Sequence, residues 1–173
     1  MITRPINLHK WIDENRHLLK PPVSNKVIFK DADFIIMVVG GPKSRKDYHY
    51  NDGEEFYYQL EGDIVVGIQE NGKAIDLPIK QGELFLLPAK EPHQPRRGPN
   101  TIGLVIERQR GKDVKDGLLW FCEKCNNKLF EEYFVLTNIE EQFQKVFANF
   151  YGSEELRTCK KCGYIMEPPA KPV

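Results

Sequence analysis

The sequence predicts a mainly β protein, a β-sandwich or small barrel, with an N-terminal helix and a small C-terminal helix-containing unit gathered round cysteines. Three observations point there. Between about residues 26 and 107, short segments rich in Val, Ile, Phe and Tyr follow one another, punctuated by Gly, Pro and Asn: KVIFK, DFIIMVVG, EEFYYQL, DIVVGIQE, KAIDLPIK, ELFLLP and TIGLVIE. So many short strands at close spacing suit a sandwich or barrel. Asn71-Gly72 sits between two of them and predicts a tight hairpin. All four cysteines fall in the last third, as CEKC and CKKC.

Residues 7–19, NLHKWIDENRHLL, read as a short amphipathic helix. Asn7 caps it, Leu8, Trp11, Ile12, Leu18 and Leu19 fall roughly on one face, and Pro21 and Pro22 stop it. After the strands, the polar stretch GKDVKDG (111–117), with glycine at each end, reads as a linker. The expected division is therefore a domain over 1–110 and a subdomain with tail over 111–173. LLWFCEKCNNKLFEE then reads as a hairpin carrying the first cysteine pair. TNIEEQFQKVFANFYG (137–152) reads as a second helix, with Thr137 and Glu140 or Asn138 and Glu141 as its capping box. Its stripe of Ile139, Phe143, Val146, Phe147 and Phe150 reads as packing rather than function, and Gly152 ends it. The tail EPPAKPV is expected to be extended.

Lys plus Arg number 25 and Asp plus Glu number 25, so the formal charge is zero. That argues against bulk electrostatic binding to nucleic acid or an anionic membrane. No apolar run approaches the roughly 18–20 residues of a membrane span. MITRPINLHKWIDENRHLL lacks the apolar core of a secretory leader, so a cytoplasmic protein is expected. In a reducing compartment, two C-x-x-C pairs suggest a metal more than disulfides.

The chemistry concentrates in DYHYNDGEEFYYQLEG and GELFLLPAKEPHQP. Side chains alternate along a strand, so Glu55, Tyr57 and Gln59 share one face. A carboxylate turned into an apolar interior is costly unless paired or bound to a metal. The two segments resemble the paired motifs of the cupin superfamily: His49, a position two further on, Glu55 and Gly62 in the first, and Gly82, Pro88 and His93 in the second. The position two after His49, often a second histidine, is Asn51. The resemblance thus implies two histidines and one carboxylate, the set typical of non-haem Fe(II) oxygenases, with coordination positions left open. His9 and His17, on the N-terminal helix, read as ordinary surface or core residues. Cys122, Cys125, Cys159 and Cys162 resemble rubredoxin-like or zinc-ribbon knuckles. Four thiolates give a tetrahedral site for a second iron or a zinc, read as a structural staple in preference to a redox centre.

HLLKPPVSN, FIIMVVGGP, DYHYNDGEEFYYQLEG, FLLPAKEPHQPRR and LVIERQR, in that order and followed by the knuckles, make the chain similar to the 3-hydroxyanthranilate 3,4-dioxygenase family, in its short bacterial and fungal type. The resemblance covers nearly the whole chain. It implies ring opening of 3-hydroxyanthranilate with O2 to 2-amino-3-carboxymuconate semialdehyde, the quinolinate precursor on the kynurenine route to NAD. It also implies Fe(II) on His49, Glu55 and His93, a carboxylate clamp of Arg45 and Arg97, a substrate contact at Glu107, Asn25 in an entrance loop, and a homodimer. Gln94 departs from the family's serine after the second histidine, and Arg96 beside Arg97 leaves a one-residue ambiguity that family spacing resolves toward Arg97.

The residues agree with this chemistry. A buried substrate carboxylate calls for an arginine. Arg45 lies four residues before one ligand and Arg97 four after another. Glu107 ends the apolar strand GLVIE, where it needs a partner such as an arginine. The alternatives are another small-molecule cupin dioxygenase or isomerase, and a metal-stapled binding or electron-transfer module.

Overall fold

A computed structural model describes residues 4–21, 24–29, 32–43, 45–137 and 139–169. The elements run α1 (Leu8–Asn15), β1 (Asn25–Val27), β2 (Phe34–Gly40), β3 (Tyr48–Tyr50), β4 (Glu55–Glu61), β5 (Ile64–Glu70), β6 (Lys73–Ile79), β7 (Leu84–Leu87), β8 (His93–Arg97), β9 (Ile102–Arg108), β10 (Lys115–Phe121), β11 (Lys128–Val135), α2 (Ile139–Gly152) and α3 (Glu154–Arg157). They form two antiparallel sheets, ordered β1-β2-β9-β4-β7 and β11-β10-β3-β8-β5-β6. The mainly β architecture is the one the strand pattern predicts.

Alternation decides what lies inside. Along β4, Glu55, Tyr57 and Gln59 are buried while Phe56, Tyr58 and Leu60 are half-buried on the other face. Tyr57 joins Val39, Ile64, Val66, Ile79, Leu87 and Val105 in a core drawn from both sheets. The Asn71-Gly72 turn joins β5 to β6 with both residues at positive φ (51° and 75°), as a primed hairpin turn requires.

α1 is capped as expected: Asn7 Oδ1 accepts from the Lys10 amide at 3.0 Å. It ends in a 3-10 turn over Arg16–Leu18 before Pro21. Ile12 and Leu19 pack with Val38 and Ile102, sealing the first sheet. Pro22, Lys30 of KVIFK, Asn138 of the helix cap and residues 170–173 of the tail lie outside the described residues.

The largest departure concerns 111–117. Residues 115–117 of this polar stretch are the start of β10, which pairs with β3 on one side and β11 on the other. The second sheet therefore runs across the boundary expected at 110/111. Polarity misleads here because Asp116 is fully buried, its charge met by His49 and Arg110. α2 lays Phe143, Val146, Phe147 and Phe150 against Leu118 and Trp120. The Trp120 indole stacks on Phe150 at 4.4 Å and donates to the Tyr151 hydroxyl at 3.1 Å. At the start of α2, the Thr137 amide donates to Gln142 Oε1 at 2.7 Å. No helix among the described residues is long and apolar enough to cross a membrane.

Gly40 marks the tightest seat of the N-terminal segment, since a Cβ there would lie 2.0 Å from the Leu19 carbonyl oxygen. A backbone atom cannot swing aside as a side-chain tip can. Gly40→Ala should therefore destabilise the fold by about 1–3 kcal/mol, read as a lowered midpoint in thermal or urea unfolding.

Candidate active site

A cavity of about 140 Å³ opens between the sheets. Its wall follows the period of two. Lys43, Arg45, Asp47 and His49 line it from the run into β3, Glu55 and Tyr57 from β4, and His93, Pro95 and Arg97 from β8. Val105 and Glu107 add β9, and Asn25 adds β1. Every residue that the sequence and its resemblance single out for the catalytic chemistry lines this one space.

The register builds the metal-ligating cluster. His49 pairs directly with His93 across β3 and β8, and Glu55 with Glu107 across β4 and β9. The donor atoms of His49, Glu55 and His93 lie within 4.8 Å of one another. Glu55 Oε1 is 3.7 Å from His49 Nδ1 and 3.3 Å from His93 Nε2. The other ring nitrogens are engaged. His49 Nε2 donates to Asp116 Oδ2 at 2.7 Å, and His93 Nδ1 donates to the Glu91 carbonyl at 3.0 Å. Each imidazole is thereby fixed in orientation and tautomer, with its remaining nitrogen turned toward Glu55, the arrangement metal-ligating histidines need. Two imidazoles and one carboxylate suit a divalent transition metal with open positions.

Glu55 is only 5% exposed. Asn51 Nδ2 donates to its Oε1 at 2.6 Å and the Tyr57 hydroxyl to its Oε2 at 2.7 Å. Asn51 therefore serves the carboxylate as a hydrogen-bond donor, which an amide can do at a position often occupied by histidine. Burial works to raise the Glu55 pKa, but His93, His49 and Tyr57 outweigh it and hold the group below the usual carboxylate range. Glu107 goes the other way. Burial and the facing Glu55 charge push its carboxyl above 4.5, against the pull of Arg110.

Glu107 finds its arginine in Arg110, at 3.1 Å, rather than in Arg45 or Arg97. Arg110 also donates through Nε to Asp116 at 2.8 Å, closing a chain His49–Asp116–Arg110–Glu107. Neither Arg110 nor Asp116 stood out in the sequence: Arg110 follows the last apolar residue of its strand, and Asp116 lies in the stretch that read as a linker. Burial works to raise the Asp116 pKa, but His49 and Arg110 hold it below its ordinary value.

At the other end are the guanidiniums. Arg97 is 4% exposed, and Arg97 Nη1 donates to Gln59 Oε1 at 3.2 Å. Burial lowers its pKa to about 10, despite Tyr57 and Glu55 nearby. Arg96 turns outward instead and pairs with Asp76. Arg45 pairs with Asp47 and lies 5.0 Å from the Phe143 ring centroid and 5.3 Å from that of Phe147. The α2 stripe is thus more than packing: Phe143 lines the cavity and carries a charged wall residue. Gln94 donates through Nε2 to the Arg45 carbonyl at 3.3 Å.

Apart from this cavity, Cys122, Cys125, Cys159 and Cys162 form a second cluster with sulfurs within 4.8 Å of one another, all free thiols. Two similar knuckles present them. The amides of Asn126 and Gly163, each four residues after the first cysteine of its pair, donate to the carbonyls of Cys122 and Cys159 at 2.9 and 2.8 Å. Both residues have positive φ. Four thiols at this spacing fit a tetrahedral metal.

Residues 1–151 match the 3-hydroxyanthranilic acid dioxygenase family. The 3-hydroxyanthranilate 3,4-dioxygenase of Xanthomonas euvesicatoria pv. vesicatoria (strain 85-10) is 56% identical over 99% of this chain and 97% of its own length. That of Bacillus thuringiensis (strain Al Hakam) is 47% identical over 92% of this chain and 90% of its own. Among solved structures, a cupin-2 domain containing protein from Shewanella frigidimarina is similar over 61% of this chain and 94% of its own, at 19% identity and a TM-score of 0.46.

Asp116→Asn keeps the shape but removes the charge shared by His49 and Arg110. The expected outcome is a loss of divalent-metal affinity of roughly 10–100-fold, measured by titrating the metal-free protein with Co(II).

Proposed function

Since the chain belongs to the 3-hydroxyanthranilic acid dioxygenase family, we propose that its cavity binds 3-hydroxyanthranilate beside O2 and is where the ring is opened. The protein is a ring-cleaving dioxygenase, and its family is metal-dependent. The observation that carries the assignment to this cavity is the convergence, in one space of about 140 Å³, of two histidines and a carboxylate at one end and two guanidiniums at the other. A planar aminophenol with a carboxylate on the ring has complementary polarity at its two ends.

His49, Glu55 and His93 would hold Fe(II), which when bound supplies the electron transfer between ring and O2. Tyr57 and Asn51 fix the Glu55 carboxylate so that it stays charged and oriented. Arg97 and Arg45 take the substrate carboxylate, with Arg97 the stronger anchor because it is buried and no carboxylate among the described residues forms an ion pair with it. Glu107, with its raised pKa, accepts the proton of the ring hydroxyl at a carboxylate oxygen, while Arg110 orients that carboxylate and favours its ionised, proton-accepting form. Phe143, Val39 and Met37 give the ring an apolar wall and exclude water. Asn25 closes the rim from β1. Both oxygen atoms enter the product, 2-amino-3-carboxymuconate semialdehyde.

Three further assignments go with this reading. The four cysteines hold a second iron or a zinc as a staple for the hairpin and helices that carry Asp116 and Phe143. Its colour discriminates, since a ferric four-thiolate centre is red and a zinc one colourless. The enzyme works as a homodimer through the outer face of the first sheet, where Phe34, Leu84 and Leu86 are 48%, 63% and 54% exposed around Phe56, Tyr58 and Ile106. A cytoplasmic location is supported by free thiols in matched metal-binding pairs.

The test is anaerobic loading with Fe(II), then addition of 3-hydroxyanthranilate and O2, with the semialdehyde followed by its absorbance. Product formation is expected, and its absence from fully iron-loaded protein overturns the reading. Glu55→Ala should abolish both iron retention and turnover. Arg97→Ala should raise KM by roughly 10–100-fold, the worth of a charge-assisted bond to a carboxylate.

Glu107 accepts a proton only when ionised, so kcat/KM should fall as pH drops through its raised pKa. Glu107→Gln should flatten that acid limb and lower kcat by roughly 100-fold or more.

A further inference from the structure

We propose that Lys43 is a third cationic contact for the substrate's carboxylate, and that it sets how strongly the site prefers the acid over an aminophenol without one. The inference rests on the function proposed above and extends it to a residue that the sequence did not single out.

Backbone pairing places Lys43. Its amide donates to the Arg97 carbonyl at 3.0 Å, and the two residues form an antiparallel bridge. Directly paired residues of antiparallel strands send their side chains to the same face. Lys43 is therefore the lateral neighbour of the buried guanidinium and stands two residues ahead of the other clamp arginine, Arg45. All three line the cavity, and all three also line an adjoining surface groove of about 760 Å³. Lys43 thus stands where the carboxylate end of the cavity meets the outside.

The charges at this end do not balance within the protein. Lys43, Arg45 and Arg97 line it, and the acid among them, Asp47, is taken by Arg45. Among the described residues no carboxylate lies within ion-pair distance of the Lys43 ammonium, while Asp76 in the groove is held by Arg96. Burial, with Arg45 and Arg97 close by, lowers the Lys43 pKa to about 7. An anion placed between the three groups relieves this repulsion. One carboxylate can accept it: two oxygens offer about four acceptor sites, so a bidentate arginine leaves room for an ammonium. A lysine bound only for solvent would gain nothing from standing close to two guanidiniums.

The experiment is an anaerobic binding titration of the Fe(II)-loaded enzyme with 3-hydroxyanthranilate and, separately, with 2-aminophenol, which keeps the chelating hydroxyl and amine but lacks the carboxylate. Lys43→Met should weaken binding of the acid roughly tenfold. It should leave 2-aminophenol within about twofold, which also reports that the variant is folded and iron-loaded. Lys43→Arg should recover most of the lost affinity for the acid. If Lys43→Met binds the acid as tightly as the parent chain, or loses both ligands equally, the assignment is overturned while the function stands. If the parent chain itself binds no acid, the function falls and the assignment with it.

Discussion

The structure is organised round a buried negative charge. Glu55 lies almost out of contact with solvent and faces Glu107 directly across two paired strands. Like charges opposite one another in a sheet are destabilising, and burial makes them more so. Much of the surrounding arrangement answers this one constraint. Tyr57 and Asn51 donate to Glu55, His49 and His93 turn nitrogens toward it, and Arg110 neutralises Glu107. A divalent cation between the imidazoles and Glu55 would complete the compensation. The same imbalance that costs stability in the metal-free chain provides affinity for the metal.

A second consequence is the division of labour between the sheets. The first sheet supplies Glu55 and Glu107, and the second supplies His49, His93 and Arg97. The site exists only where the sheets face each other, so neither sheet alone holds a ligand set. The outer faces are then free for other uses. α1 covers part of the first sheet, and an apolar remainder around Phe34, Leu84 and Leu86 stays exposed.

The C-terminal region is integral to the site. β10 lies beside β3 and delivers Asp116 to the back of His49. α2 lies beyond it and delivers Phe143 to the cavity wall and to Arg45. The knuckles of cysteines clamp the end of β10 to the segment after α3. A metal there would stiffen the elements that hold Asp116 against His49 and Phe143 against Arg45, a role that needs no electron transfer from the second site.

The sequence by itself determined the strand pattern, the Asn71-Gly72 turn, the Asn7 cap and the positions of His49, Glu55 and His93. These are local: alternation, turn chemistry and ligand spacing act within a few residues and leave a written trace. Alternation puts Arg96 and Arg97 on opposite sides of β8, the family's spacing points to Arg97, and the structure buries Arg97 and turns Arg96 outward. Only the tertiary structure decided the partners. Asp116 sits in a polar stretch indistinguishable from a surface linker until β10 joins β3, and Arg110, just before that stretch, gains its role only when Asp116 and Glu107 are brought to it. Phe143 looks like any helix-stripe residue until α2 is laid against Arg45, and Lys43 looks solvated until its bridge to Arg97 is formed. Each of these depends on contacts between segments distant in the chain, and such pairings are fixed by which buried charges can be satisfied together.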